Sequence, residues 1–367
     1  MPAPVRFGIT GCGYIGAEQA RIIHSLPGAE LIAVHSASGT GARRVADELP
    51  CDVENSLESL VARDDVDALI VATPNHLHRE PVTVAAAHGK HVFCEKPFAL
   101  SVEDCDAMVA ACTRAGVTLM LGHMMHFYPG MRRVREWIES GTIGRVLVAH
   151  AERTGWEEPR PDVSWKKVQD TSGGHLFHHI HEIDLLLWFA GAVASVRAVG
   201  GNLAHQGEGF GDEDDVVLLT LTFADGGFGS MQYGSGFRWG EHLVKINGTE
   251  GAVLIDNKAA SVFLKVGDAA PQQFGLFDDA DSEESMQALF KDVDGGSTYG
   301  SPTDRPPLYL RRAVRDELAC FIDVVTGFPI DDDKKMLFDG SAARASVQVA
   351  QAALQSLRDG APAPVAP

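Results

Sequence analysis

Apolar residues in the first third of the chain fall into short runs separated by amphipathic stretches. Residues 5–10, 30–35, 67–72, 91–94 and 117–122 read as buried strands, and 17–25, 80–88 and a segment ending at Ala115 read as helices. The last helix opens at Ser101, whose hydroxyl is suited to cap it, with Asp104 three residues on. Strand and helix thus alternate to about residue 123, the pattern of an α/β doubly wound parallel sheet. Beyond it the period changes. An amphipathic helix at 127–140 ends at Gly141, and strand-like runs follow at 145–153, 193–199, 216–223, 228–234, 243–247 and 252–256. Asp225-Gly226 marks a hairpin, and strands joined by short turns predict a large, mostly antiparallel open sheet covered by helices. Residues 266–306 are acidic and weakly periodic and read as loops. Helices are expected at 311–326 and 339–357, with a disordered Ala-Pro tail after Gly360. The expected division is 1–123, 124–360 and a tail at 361–367.

The face pattern of 216–223 adds an expectation about assembly. Val217, Leu219, Leu221 and Phe223 form an inner set, yet the opposite set, Val216, Leu218, Thr220 and Thr222, is half apolar where a wetted face should carry charge. An apolar sheet face usually marks an interface, so a homodimer or a homotetramer built as a dimer of dimers is predicted.

Composition narrows the class. With 367 residues, 45% hydrophobic and 22% charged, the chain has ample core for two globular domains. A net charge of −19 excludes general affinity for nucleic acid or anionic membranes, and no apolar run is long enough to span a bilayer. The opening residues lack the features of a secretion signal, and six cysteines form neither CxxC nor zinc spacing. Reduced thiols in a cytoplasm are expected.

Candidate chemistry begins at Gly11-Cys12-Gly13-Tyr14-Ile15-Gly16, which joins the first strand to the first helix. GxGxxG in that setting predicts a dinucleotide site: Gly11 and Gly13 for the turn and the approach of a pyrophosphate, Gly16 for close packing of helix on sheet. The second strand ends at His35-Ser36-Ala37-Ser38 with Arg43 and Arg44 nearby, and no carboxylate stands there to bind a ribose 2′-hydroxyl. Ser36, Ser38 and Arg43 suit a 2′-phosphate, so NADP is favoured with NAD possible.

Three motifs occur in order: the glycine loop, Thr73-Pro74-Asn75-His76-Leu77-His78, and Phe93-Cys94-Glu95-Lys96-Pro97. Together they resemble the Gfo/Idh/MocA oxidoreductase family. The resemblance implies an α/β Rossmann domain followed by a C-terminal α+β domain with a large open sheet. It also implies a cofactor cradle of Gly11, Gly13, Tyr14, Ile15, Gly16, Thr73, Pro74, Asn75, His78, Glu95 and Lys96. Lys96 is implied as catalytic, and the Lys96–Pro97 bond as cis. In the second domain, His181-Glu182-Ile183-Asp184 resembles the segment carrying the catalytic acid/base. A neutral imidazole accepts an alcohol proton, and an ordinary pKa of about 6.5 suits both directions.

One position departs from the family. Phe177 stands where many members have Asp one turn before this histidine, which leaves His178 or His179 to orient the imidazole, or nothing. His175/His179 and His178/Glu182 are i,i+4 pairs, but they point in different directions, and no metal is expected. The resemblance further implies that Met124, His126, Trp165, Lys166, His178 and His181 line a substrate site. Tyr233, Arg238, Trp239 and His242 form a second polar and aromatic group. The reading is hydride transfer between a nicotinamide and a secondary alcohol of a sugar, glycoside or cyclitol. Two alternatives stay open: redox-assisted elimination or epimerisation with retained cofactor, and a non-catalytic sensor on the same fold.

Overall fold

The computed structural model describes residues 3–292, 300–301 and 303–365. Two compact units emerge: residues up to 124 together with 300–344, and 125–292 together with 345–365.

The first unit is built on six parallel strands, β1 (Val5–Thr10), β2 (Ala29–His35), β3 (Asp52–Val53), β4 (Ala68–Val71), β5 (His91–Glu95) and β6 (Leu119–Gly122). Their order is β3-β2-β1-β4-β5-β6, so the chain reverses direction across the sheet between β1 and β4. Ligands of doubly wound sheets bind at the carboxyl ends of strands at such a switch point, and here the glycine loop follows β1 and Thr73 follows β4. Every residue of β4 is fully buried, which is why it reads as a continuous apolar run. The Ser101 hydroxyl accepts the Asp104 N–H and caps the helix Val102–Ala115 as expected. The helix Leu308–Val325 also belongs to this unit. Its Phe321 packs on Phe7 at 6.1 Å and Phe93 at 5.9 Å between ring centroids.

The second unit carries nine strands: β7 (Val146–Thr154), β8 (Val193–Gly201), β9 (Val216–Phe223), β10 (Phe228–Gly234), β11 (His242–Gly248), β12 (Gly251–Asp256), β13 (Ser261–Val266), β14 (Gln272–Gly275) and β15 (Ala363–Pro364). Their order is β14-β13-β12-β11-β7-β10-β9-β8-β15. All neighbours are antiparallel except β7 and β10, which run parallel. Along β9 the inner set Val217, Leu219, Leu221 and Phe223 is buried, and Leu218, Thr220 and Thr222 are exposed.

Two expectations fail here. The stretch read as loops contains β14 and the helix Ala280–Asp292, because Met286 and a few neighbours suffice to anchor a helix whose other faces are wet. Its residues 293–299 and 302 lie outside the described set. The tail is not free either. Ala363 is buried, β15 adds to the edge strand β8, and the Val365 N–H continues the ladder to Ala194 O. An edge strand's unpaired backbone groups are a template for such an addition.

Candidate active site

In the first unit the glycine loop is packed as tightly as its sequence suggests. Gly11 has φ +96°, and a Cβ there would sit 2.4 Å from the Ala72 backbone. A Cβ on Gly16 would fall 1.8 Å from Gly11 O. Gly13 differs, since among the described residues a Cβ there meets no atom within 4 Å beyond its own neighbours in the chain. It is the N-cap of the helix Tyr14–Ser25, which has no side-chain cap and no acid in its first turn. Among the described residues its leading amides and positive dipole end are given no side-chain cap. Ile15 and Tyr14 stand in that first turn.

At the end of β2, the Thr10 hydroxyl meets His35 Nδ1 at 3.0 Å. Ser36 Oγ accepts the Ala42 N–H at 3.0 Å, so its hydroxyl helps to shape the loop. Ser38 and Arg43 are exposed, with the Arg43 guanidinium against Gly39. Arg44 reaches back to donate to Cys12 O at 2.7 Å and braces the glycine loop.

Beyond β4, the Thr73 hydroxyl is buried with no hydrogen-bond partner among the described residues. Pro74 leads into a short turn, and Asn75 is buried. His78 is not presented to a ligand. It is 1% exposed and bridges two loops, Nε2 to Thr73 O at 3.0 Å and Nδ1 to Pro97 O at 2.8 Å. Burial pushes its pKa down, while the carbonyls oppose this. His78 thus ties the loop after β4 to the Lys96–Pro97 peptide, which is cis. Glu95 accepts from Gln19 Nε2 at 2.7 Å and from the Lys96 N–H at 3.2 Å.

In the second unit the histidine segment is broken. His175–His178 forms one short helix and His181–Ala190 another, with Gly173 and Gly174 at φ +80° and +71° ahead of them. The Tyr233 hydroxyl donates to His179 O at 2.6 Å, so the carbonyl just past the first short helix is held by a side chain of β10. The His175/His179 pair keeps its i,i+4 bond, the His179 N–H on His175 O at 2.9 Å, whereas His178 and Glu182 fall on different helices. The rings of His175 and His179 stack at 5.3 Å, and His178 meets His179 at 4.9 Å and Trp165 at 6.3 Å.

His181 opens the second helix and is buried, as is Phe177 before it. The following residue anchors that helix. Glu182, with no exposed surface, accepts from His242 Nε2 at 2.8 Å, lies 3.1 Å from the Tyr233 hydroxyl and pairs with Arg153 at 3.3 Å. Arg153 and His242 outweigh burial and hold its carboxyl well below the usual range. Three strands, β7, β10 and β11, thereby fix the start of the helix that carries His181. Tyr233 and His242 serve this network, whereas Arg238 and Trp239 lie at the surface, Arg238 3.4 Å over the Trp156 ring. Arg153 gives no local sequence signal, since its partner lies 29 residues away.

The remaining candidates separate into two kinds. His126 is 3% exposed, bonded to Asp184 at 2.7 Å and stacked on Trp188 at 4.0 Å, so it belongs to a packed interior. Met124, in the other unit, is half-buried. Trp165 and Lys166 stand on one turn with His178 across from the indole. Burial pushes the Lys166 ammonium down to about 8.

Matching the chain to family models settles its kinship. Residues 5–123 match the model described as oxidoreductase family, NAD-binding Rossmann fold, and residues 135–365 match the C-terminal alpha/beta domain of the same oxidoreductases. The chain belongs to the Gfo/Idh/MocA oxidoreductase family. It is similar to the 2,7-anhydro-N-acetylneuraminate hydratase of Mediterraneibacter gnavus, 43% identical over 96% of this chain and 94% of that one. The Escherichia coli protein of the same name is 41% identical over 96% and 95%. Among solved structures, the WlbA dehydrogenase of Bordetella pertussis, in complex with NADH and UDP-GlcNAcA, shares the fold at TM-score 0.81 and 24% identity, covering 100% of this chain and 99% of that one. The family's nicotinamide dinucleotide fits the residues present. The space over Gly13, the uncapped helix start and the buried Thr73 oxygen are what a pyrophosphate needs.

Proposed function

We propose that this oxidoreductase hydrates an intramolecularly bridged anhydro-sugar acid, of the 2,7-anhydro-N-acetylneuraminate type, by a transient oxidation. The observation that carries this is identity above 40% with two hydratases so named, across almost the whole of each chain. It favours the redox-assisted alternative over net alcohol oxidation and retains the same hydride chemistry.

Hydration moves no electrons, so a redox fold needs a reason. A bound dinucleotide would supply a reversible hydride acceptor for a carbinol carbon, with no net change in its own redox state. With that carbon held as a ketone, the neighbouring CH₂ is acidic. The bridging C–O bond at the acetal carbon then breaks by β-elimination. Water adds to the resulting enone at the same carbon, and the CH₂ regains its proton. His181 takes the hydroxyl proton and gives it back. Lys96 donates a hydrogen bond to the oxygen, favouring first the carbonyl and then the enolate. His178 and Trp165 form a wall on which Lys166 offers an ammonium for the carboxylate of the acid.

The absence of any carboxylate between His35 and Arg44 supports NADP over NAD. The outer sheet face supports a homodimer. Val148 and Phe228 are register partners, as are Val199 and Leu218, and the four are 41%, 61%, 53% and 39% exposed. Six free thiols accord with a cytoplasmic location, and no described helix is long and apolar enough to cross a membrane.

The test is incubation in D₂O with the bridged sugar acid and substoichiometric dinucleotide, followed by NMR. The expected result is complete conversion to the open acid, with deuterium at the carbon next to the acetal and no net reduced nicotinamide. Reduced nicotinamide accumulating mole for mole with a keto product would make it a plain dehydrogenase.

A further inference from the structure

Between β8 and β9 the chain makes a connection, residues 202–215, to which the chemistry above assigns nothing. The connection is fixed from within. The Asp215 carboxylate accepts the N–H groups of Leu203, Ala204 and His205 at 2.8, 2.7 and 2.6 Å. Asn202 Nδ2 donates to Glu213 O at 3.1 Å, so the backbone of Glu213 is held as well. The Glu213 side chain is 5% exposed, and one of its oxygens meets groups from two different segments.

Glu213 Oε1 lies 3.0 Å from Lys167 Nζ and 3.4 Å from His175 Nε2. Lys167 closes the turn Trp165–Lys167, and Glu157 pairs with the same ammonium. A buried ammonium needs partnered acids, so the place of Lys167 follows that of Glu213 and Glu157. The backbone joins the same two segments. The Asp212 N–H donates to Lys167 O at 3.1 Å, and Asp212 Oδ1 accepts the Gln169 N–H at 2.7 Å. Their approach is so close that a Cβ on Gly211 would fall 1.8 Å from Lys167 O. On the other arm, His175 stacks on His179, and His179 meets His178, the ring that faces Trp165. Glu213 thus stands behind both halves of the Trp165–His178 wall.

We propose that Glu213 is a positioning residue for the substrate wall. Through Lys167 it sets the turn that presents Trp165 and Lys166, and through His175 and His179 it sets His178. One carboxyl thereby fixes the spacing of two segments that are far apart in sequence. The consequence is selectivity for an anionic sugar, because Lys166 meets a carboxylate well only while its turn is held. That consequence rests on the role given to Lys166 under the proposed function, whereas the bracing itself does not.

Hydrogen exchange of the holoenzyme without substrate, read by mass spectrometry, tests the bracing. Glu213→Ala should speed exchange at least about tenfold in residues 165–172 and 175–181 while β1–β6 keep their rates. Glu213→Gln retains an oxygen for Lys167 and should return both segments to within about threefold of the natural rates. Titration of the holoenzyme with the open sugar acid and with its methyl ester tests the selectivity. The natural protein should prefer the acid by about tenfold or more, Glu213→Ala should lose most of that preference, and Glu213→Gln should restore it. Dinucleotide affinity should not change, and in a Lys166→Met background Glu213→Ala should cost no further selectivity. Unaltered exchange in both segments overturns the proposal, as does exchange that rises alike throughout the protein, the mark of a plain folding role. Should the alanine variant not fold, Lys167→Met cuts one arm only: exchange should rise in 165–172 and not in 175–181, and no rise overturns the proposal. A natural protein indifferent to the ester would remove the carboxylate role of Lys166, and exchange would still decide the bracing.

Discussion

Gly13→Ala separates the needs of the fold from those of the ligand. The residue has φ −77° and ψ −157°, a negative-φ conformation open to alanine, and among the described residues the new methyl meets no atom within 4 Å beyond its chain neighbours. Two effects on folding then oppose each other. Reduced freedom of the unfolded chain stabilises by roughly 0.4–1 kcal/mol, and loss of a favourable N-cap residue costs about the same. Net stability should change by less than about 1 kcal/mol. Binding is different, because the methyl fills the space from which a pyrophosphate would reach the first helical amides. Losing one hydrogen bond to a charged oxygen costs about 1.5–3 kcal/mol, which is roughly a 10- to 150-fold weaker dinucleotide. Fluorescence titration with NADH and NADPH measures this, with urea unfolding of the ligand-free protein alongside. Gly16→Ala is the contrast, since its Cβ would sit 1.8 Å from Gly11 O and should damage the fold itself. A folded Gly13→Ala protein that binds dinucleotide as tightly as the natural one would refute the assignment of this space.

Three further outcomes are expected. Burial pushes Glu213 up from 4.5 to about 7 beside Lys167 and His175; its contribution to stability is therefore full below the ordinary carboxylate range and lost as pH rises through about 7. Linkage puts that loss at about 2.5 kcal/mol between pH 5 and 8, so Glu213→Gln should gain by this amount on the natural protein over that interval in urea melts, and parallel curves would contradict it. Ser36→Asp keeps an acceptor for the Ala42 N–H but repels a 2′-phosphate, so the ratio of NADPH to NADH affinity should fall at least about tenfold; an unchanged ratio would remove Ser36 from the site. Phe228→Asp should convert a dimer to a monomer in light scattering at micromolar concentration, and a natural protein already of monomer mass would end that reading.

What the sequence revealed depended on how local the cause was. The alternation in β9 predicted its two faces residue by residue, because burial of one sheet face is written at period two. The glycine loop and the Ser101 cap were equally legible, each being a property of a few adjacent residues. The histidine segment was not, although its apolar spacing is helical. At the break the His179 carbonyl is held by the hydroxyl of Tyr233, more than 50 residues away. His126 reads as a candidate ligand group from its position, and only the fold shows that Asp184 claims it.

The unit that carries the glycine loop is not continuous in sequence: residues 300–344 complete it after the chain has traversed most of the other unit. During synthesis the parallel sheet is therefore exposed without the helix Leu308–Val325, and the surfaces of Phe7 and Phe93 that meet Phe321 stay uncovered. The nascent chain must keep this half-finished sheet out of trouble until nearly all of it has left the ribosome. The same order of events ties completion of this unit to nearly complete translation, and a chain truncated before residue 308 would lack the helix Leu308–Val325 altogether.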